Sequence, residues 1–388
     1  MGKRILYIQY TNPANYPSLG NSSQILAGKG WRVWFIGTGT FGKNKTEFIS
    51  HPKIKNTKIP FCRPGFFQKA HYGLFCLGVT LLSIFWRATV VYCSDSLSCP
   101  IGWVLSYVPW IKVLYHEHDS PDVDNLRQQN SIYLKSIIWT RKQLAKRADF
   151  CVLPNQKRLE AFQNIRESNK NIFCVWNCPA LNEIPVTSAD RNESFFWVLY
   201  HGSIVPERFP LSVLNALELL PSQVGIRLVG YETVGALGYT QTFLNHAKAK
   251  GLQDRLDIIG CVPTRRDLFQ QTLRSHAGII FLPKKSDDFN IQNMTGASNK
   301  VFDYLACGLP VLVSNLEDWK AMFVSPGYGQ FCDSDDPASI AQAIRWFVEH
   351  PKDAQEMGRK GHQKIAEDWN YDSQFKPVLE ALESIGSR

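Results

Sequence analysis

The stretch TGASNKVFDYLACGLPVLVS, Thr295 to Ser314, says more about this 388-residue chain than any other. It opens on a glycine-containing turn at Thr295 and Gly296 and places Ser298 where a helix N-cap belongs. A short helix follows, carrying Asn299, Lys300 and Asp303. Gly308 stops that helix, Pro310 lies beyond it, and Val311 to Ser314 reads as a buried strand. Lys300 and Asp303 stand three apart and share one helix face. Backbone donors at the helix start plus an ammonium suit a phosphate, and a carboxylate one turn further on suits the paired hydroxyls of a ribose. A plain surface ion pair between Lys300 and Asp303 is the competing reading.

The same alternation of strand and helix extends outward in both directions. In the back half, strand-like runs rich in β-branched and aromatic residues stand at Phe195 to Tyr200, Ile226 to Val229, Leu256 to Ile259 and Gly278 to Leu282. In the front half they stand at Ile5 to Tyr10, Arg32 to Ile36, Val90 to Cys93, Ile111 to Tyr115, Phe150 to Leu153 and Phe173 to Trp176. Segments of helical spacing separate them, which is the pattern of parallel sheets with crossover helices. Ile184 to Ser194, IPVTSADRNES, interrupts the pattern and reads as a linker. The expected fold class is therefore α/β, with two Rossmann-like doubly wound domains over residues 1–185 and 195–367 facing each other across a cleft. A final helix candidate covers residues 368–388. In such domains an anionic ligand sits at the carboxyl ends of the strands, against helix N-termini.

Composition agrees with a folded protein: 44% of the residues are hydrophobic and 20% charged, so sizeable cores can form. Ten cysteines are scattered singly with no Cys-x-x-Cys, which points to a reduced, cytoplasmic compartment. The first apolar run ends at Gln9, too early for a signal peptide. Tyr72 to Trp86 spans about 22 Å as a helix, short of the roughly 30 Å of a bilayer core. Charge is uneven. Residues 1–190 hold 23 Lys and Arg against 11 Asp and Glu, whereas the remainder holds 20 against 23. The stretch Lys43 to Arg63, leading into Phe66, Phe67 and Lys69, mixes cations and aromatics as interfacial segments do. An anionic membrane surface on the inner face of the cell membrane is the partner this suggests, and a solvated loop is the plainer alternative. No recognition-helix, zinc-finger or RNP-type pattern accompanies the charge, so nucleic acid is not expected.

Four further segments carry candidate chemistry. LYHGSIVPERFPLSVLNAL, Leu199 to Leu217, is a strand ending at Gly202, a loop holding Ser203 and Arg208, and a helix. Arg208 is either a phosphate ligand or a solvated loop residue. The strand Ile111 to Tyr115 runs into HEHDSPD, His116 to Asp122, where His118 is placed to reach a cleft; a hydrogen-bonded turn or a metal site are the other readings. Thr11 to Gln24 includes Gly20, and Cys261 to Pro263 puts Val262 just after a strand.

Taken in order, these segments resemble retaining glycosyltransferases of the GT-B fold, family 4. That family writes a Glu, seven residues and a second Glu before Ala-Met-Ala-x-Gly-x-Pro-Val. Thr295, Gly296 and Asp303 fall at the first Glu, the next Gly and the second Glu, while Ala306, Gly308, Pro310 and Val311 match the tail. Asn299 to Tyr304 is similar to a subgroup's Asn-Lys-x-Phe-Glu-Tyr. Leu199 to Leu217 is similar to the family's Gly-Arg-Leu-x-x-x-Lys-Gly loop, with Ser203 replacing the usual Arg and Arg208 at the phosphate-binding cation. His118 with Asp119 falls where a His faces the reacting sugar carbon, Gly20 where a Gly-rich turn approaches the donor phosphate, and Val262 in a loop that meets the nucleotide base.

The resemblance implies a nucleotide-sugar-dependent, metal-independent transferase acting with retention, and a last helix that returns to the first domain. Its donor is a UDP- or GDP-linked sugar, and its acceptor a glycan or lipid-linked hydroxyl in cell-surface polysaccharide or glycolipid assembly. In that scheme Arg208, Lys300 and His118 serve catalysis. Gly20, Gly202, Ser203, Val262, Thr295, Gly296, Ser298, Asn299 and Asp303 line the donor site, with no metal ligand among them. A sugar-nucleotide epimerase of the same fold and a non-catalytic binding subunit are the alternatives, the latter kept open by Thr295 and Ser203.

Overall fold

A computed structural model describes the chain apart from residues 1, 40–47, 49, 64, 122–130, 168–169, 187–194 and 388. Lys43, Lys45, Asp122 and most of the expected linker therefore lie outside the described residues. The chain divides into two compact units. The first comprises Met1–Asn177, Asp288–Ala297 and Tyr371–Arg388, and the second Cys178–Asp287 and Ser298–Asn370. The change of unit thus comes at Asn177, ahead of the polar stretch that sequence composition suggests.

The first unit is built on a seven-stranded parallel sheet. Its strands are β1 (Arg4–Gln9), β2 (Arg32–Thr38), β3 (Ile54–Ile59), β4 (Val90–Ser94), β5 (Lys112–His116), β6 (Phe150–Leu153) and β7 (Ile172–Cys174), in the order β3-β2-β1-β4-β5-β6-β7. The central strands are apolar on both faces, as a sheet covered on both sides requires. Tyr7 of β1 stacks between Phe35 of β2 and Tyr92 of β4, at 4.3 and 4.2 Å.

One face of this sheet carries α2 (Phe66–Phe85), α3 (Cys99–Leu105), α4 (Ile132–Arg147) and α5 (Gln156–Arg166), which share a single apolar core with it. α1 (Pro17–Gly28) packs with α12 (Tyr371–Glu383). The last helix therefore belongs to the first unit.

The second unit repeats the scheme with β8 (Phe196–Ser203), β9 (Val224–Tyr231), β10 (Leu256–Gly260), β11 (Ala277–Ile280), β12 (Val311–Ser314) and β13 (Gly329–Cys332), in the order β10-β9-β8-β11-β12-β13. α6 (Ser212–Glu218), α7 (Tyr239–Ala249) and α10 (Pro337–Glu349) supply Val213, Phe243 and Ile344 to its main core. α8 (Arg265–Leu273) follows β10, and α9 (Asn299–Ala306) packs beneath α11 (Pro351–Glu367). Gly361 of α11 lets that helix approach closely, since a Cβ there would stand 3.3 Å from Leu305 Cγ and closer still to its Cδ2.

In both sheets the chain builds outward to one side from a central strand, then returns to build the other. The reversal falls between β1 and β4 in the first unit and between β8 and β11 in the second. Crossover loops part at such a switch point, leaving a crevice beyond the carboxyl ends of the strands. Ser94 ends β4 and Gly202 lies at the end of β8, so the candidate residues collect at these two crevices.

Candidate functional site

The second unit gathers its candidates around the end of β8. Gly202 has φ +104°, which favours glycine, and a Cβ at that position would stand 2.8 Å from Lys300 Cε and 3.0 Å from Nζ. The lysine chain therefore lies directly against the glycine backbone. Arg208, from the following loop, donates from Nη1 to Ser203 Oγ at 3.1 Å. Tyr200 donates to the Ser203 carbonyl at 2.6 Å, and Lys300 Nζ stands 5.7 Å from the Tyr200 ring centre. Two cations drawn from segments about ninety residues apart thus meet at one two-residue strand end.

Their electrostatics are unbalanced in the absence of an anion. Burial, and secondarily the Arg208 charge, bring the Lys300 ammonium down to about 7, with Asp303 opposing the shift. A diphosphate placed there raises that value again, so binding takes up a proton wherever the free lysine has lost one. Affinity for a diphosphate ligand is then full below pH 7 and falls as pH rises above it, by up to about tenfold per unit. Calorimetry at pH 8 in buffers of different ionisation enthalpy should report net proton uptake in the wild-type chain and none in Lys300→Met.

Asp303 is buried with its helix. α9 is buried nearly all round, with Val301, Phe302, Tyr304 and Leu305 at 0% exposure, and Asp303 goes in with them at 0%. Its carboxylate accepts from Arg265 Nη2 at 2.8 Å and Nη1 at 3.4 Å, and lies 3.5 Å from His201 Nε2. The carboxylate thus pairs with Arg265 inside the fold and not with Lys300 on the surface. Burial pushes the Asp303 carboxyl up and the Arg265 charge holds it down, leaving it above its ordinary value. His201 is pushed well below the usual imidazole range by burial and the Lys300 and Arg265 charges, so it is neutral.

Arg265, which sequence reasoning missed, also donates from Nε to Glu183 at 2.7 Å. It starts α8, capped by the reciprocal Thr264–Asp267 bonds, and follows directly on the loop that carries Val262. Ser298 occupies the N-cap position of α9 as expected, but its side chain makes no capping bond to the helix. Asn299 is the first residue of that helix.

The first unit collects the others. His118 is 6% exposed, with Nε2 3.0 Å from Ser94 Oγ, Nδ1 3.5 Å from Ser18 Oγ and its ring 5.0 Å from that of Tyr16. Burial brings it down to about 4, with Asp119 opposing and Arg158 adding to the shift. Its backbone N–H donates to Asp95 Oδ1 at 2.9 Å. Asp95 is held at φ +59°, an uncommon conformation for a non-glycine residue. Burial and Asp119 raise its carboxyl to about 7, against the N–H groups of His118 and Asp119. Gly20 lies in the first turn of α1, which Pro17 starts. Among the described residues, no three His, Cys, Asp or Glu side chains are grouped to hold a metal ion.

Thr295 and Gly296 belong to the segment Asp288–Ala297, which is part of the first unit. Arg158, 1% exposed, holds that segment: Nη2 donates to the Asn290 carbonyl at 2.8 Å and Nε to the Asn293 carbonyl at 3.0 Å. Its Nη1 donates to the His118 carbonyl at 2.6 Å and to Asp119 at 3.2 Å. Asn155 adds a bond to the Asn293 carbonyl at 2.7 Å, and Asn177 Nδ2 one to the Ala297 carbonyl at 2.7 Å. Gly296 has φ +81°, and a Cβ there would stand 3.1 Å from Trp176 Cδ1. Arg158 therefore joins the histidine loop to the segment carrying Thr295. Sequence reasoning missed it because its acceptors lie about 40 and 130 residues away.

Residues 241–380 match the glycosyl transferase-like family. No curated protein sequence matches the chain. Among solved structures, sucrose-phosphate synthase from Thermosynechococcus elongatus superposes with a TM-score of 0.72 at 13% identity, over 99% of each chain. Anabaena HepE, solved in complex with UDP, gives a TM-score of 0.72 at 15% identity, over 98% of this chain and 100% of that one. An α,α-trehalose-phosphate synthase from Burkholderia xenovorans, in complex with glucose-6-phosphate, gives 0.68 at 11% identity, over 98% and 100%. The chain is thus a two-unit α/β protein of the GT-B fold, and its residues 241–380 resemble the glycosyl transferase-like family.

Proposed function

We propose that the protein is a retaining glycosyltransferase that moves a sugar from a UDP- or GDP-linked donor to a hydroxyl of a glycan or lipid-linked acceptor. The observation that carries this reading is the meeting of Lys300 and Arg208 at Gly202–Ser203, two cations on one strand end at a switch point. In this reading they hold the donor diphosphate and stabilise the charge it gains as the sugar leaves, which electrostatics does most effectively in a partly dry site. Proton transfer from the incoming hydroxyl to the departing phosphate completes the exchange on the same face of the sugar, with no enzyme nucleophile. Asp303 acts through Arg265, fixing its guanidinium below the Val262 loop, and Glu183 fixes the other edge of the same group. His118, neutral at physiological pH, offers the sugar or acceptor a hydrogen bond and not a positive charge.

Two proteins of this fold were solved with UDP and with a sugar phosphate, which supports the choice of donor and acceptor chemistry. The test is a panel of nucleotide sugars scored by thermal stabilisation, followed by transfer to glycan and lipid-linked acceptors with the anomeric configuration of product read by NMR. A donor that raises the melting temperature and a product of retained configuration are expected. Conversion of the donor to an epimer without any acceptor would assign the fold to epimerisation instead.

A further inference from the structure

α2 is apolar on two opposite faces, and only one of them is covered. Tyr72, Phe75, Val79 and Ser83 are buried on the sheet. On the other side Phe66, Ala70, Leu74, Leu77, Leu81 and Phe85 recur every three to four residues, with Phe66 81%, Leu74 70% and Phe85 80% exposed. At 1.5 Å per residue this stripe is roughly 30 Å long over the 20-residue helix. The neighbouring helices continue it. α3 packs beside α2 and α4 beside α3, and all three bury their inner faces in one core, so their outer faces look the same way. On that outer side Tyr107 is 58% and Trp139 49% exposed.

An apolar face of this extent on one unit is not explained by chance exposure. Its charges say what covers it. No Asp or Glu occurs between Phe48 and Ser94, nor anywhere in α3 or α4. Cations do occur: Lys69 near the start of α2, and Lys135 and Lys142 of α4, which flank Trp139 at four and three residues on one exposed face. Arg147 stands 3.9 Å from the Tyr107 ring centre, a cation held at an exposed aromatic. A second copy of this face would set cations against cations, and the nearest carboxylate, Glu167, is already paired with Lys146. A surface offering hydrocarbon and fixed negative charge together meets both requirements.

We infer that the outer face of α2, α3 and α4 docks on the surface of an anionic phospholipid bilayer. The α2 stripe lies in the plane of the interface, while Lys69, Lys135 and Lys142 meet lipid phosphates. No helix among the described residues is long and apolar enough to cross a membrane, so the contact is peripheral. The inference rests on this exposed face and not on the transfer reading.

The test uses the full chain with vesicles of phosphatidylcholine alone and of phosphatidylcholine with about one-third phosphatidylglycerol, in a flotation assay. Binding to the anionic vesicles at least about tenfold tighter than to the neutral ones is expected, weakening as salt is raised. Leu74→Glu with Leu77→Glu should lower that binding at least about tenfold, as should Lys135→Glu with Lys142→Glu. Neither pair makes core contacts, so melting temperature and stabilisation by a nucleotide sugar should match wild type. Those two readouts separate failure of the docking from failure of the transferase reading. Equal binding to both vesicles, or binding unmoved by both double variants, overturns the inference. So does a concentration-dependent dimer that Leu74→Glu with Leu77→Glu dissolves without any vesicle binding, which would give the face to a second copy.

Discussion

Lys300→Ala is expected to lower the turnover number for sugar transfer by about 10² to 10³, and Arg208→Ala by a similar factor, because each removes a preorganised cation from a leaving diphosphate. The two losses should not add. Both groups neutralise one charge, and removing the first already leaves the diphosphate poorly held, so the double variant should fall well short of the product of the singles. Stability should move the other way. Below pH 7, where Lys300 is still charged, the folded protein carries its ammonium against burial and the nearby Arg208 charge, so there the alanine variant should melt no lower than wild type. Steady-state kinetics at saturating donor, beside thermal melts, checks both halves. Full turnover in either single variant would remove the two cations from the chemistry.

Arg158→Ala is expected to be the most damaging substitution for the structure of the first unit. It strips hydrogen-bond donors from the His118, Asn290 and Asn293 carbonyls, and the side chain it removes is almost wholly buried. Loss of charged hydrogen bonds with acceptors left behind costs about 3 kcal/mol or more. Arg158→Lys should recover little, since a single ammonium cannot span acceptors that the planar guanidinium reaches from separate nitrogens. Urea unfolding of the purified variants gives the stability change directly, and a midpoint within error of wild type for Arg158→Ala would show that the segment Asp288–Ala297 is held by other contacts. Activity should also drop in any variant that folds, because the segment carries Thr295 and Gly296.

Much of the architecture was legible from local pattern. Strand runs such as Ile5 to Tyr10 and Val311 to Ser314 fall within two residues of the observed strands, because a strand buried on both faces needs a short, unbroken apolar run. Lys300 and Arg208 were legible because each sits in a segment whose own residues set its position: a helix start after Gly296, and a loop between a strand and Pro210. The burial of Asp303 was not legible, because the three-residue spacing to Lys300 suggested a shared surface face.

The partners of Arg158, Arg265 and Asp303 were not legible. Glu183 and Asp303 reach Arg265 from 82 and 38 residues away, and nothing within a helical turn of any of the three announces the contact. The sequence alone determined the α/β alternation, the two parallel sheets and the local placement of the two cations, because backbone periodicity and turn chemistry act over a few residues. Only the tertiary structure decided which carboxylate meets which guanidinium, which unit takes the segment Asp288–Ala297, and which of the two apolar faces of α2 is left uncovered. Those outcomes depend on how crossovers order the strands, and a pairing between distant segments exists only once that order is complete.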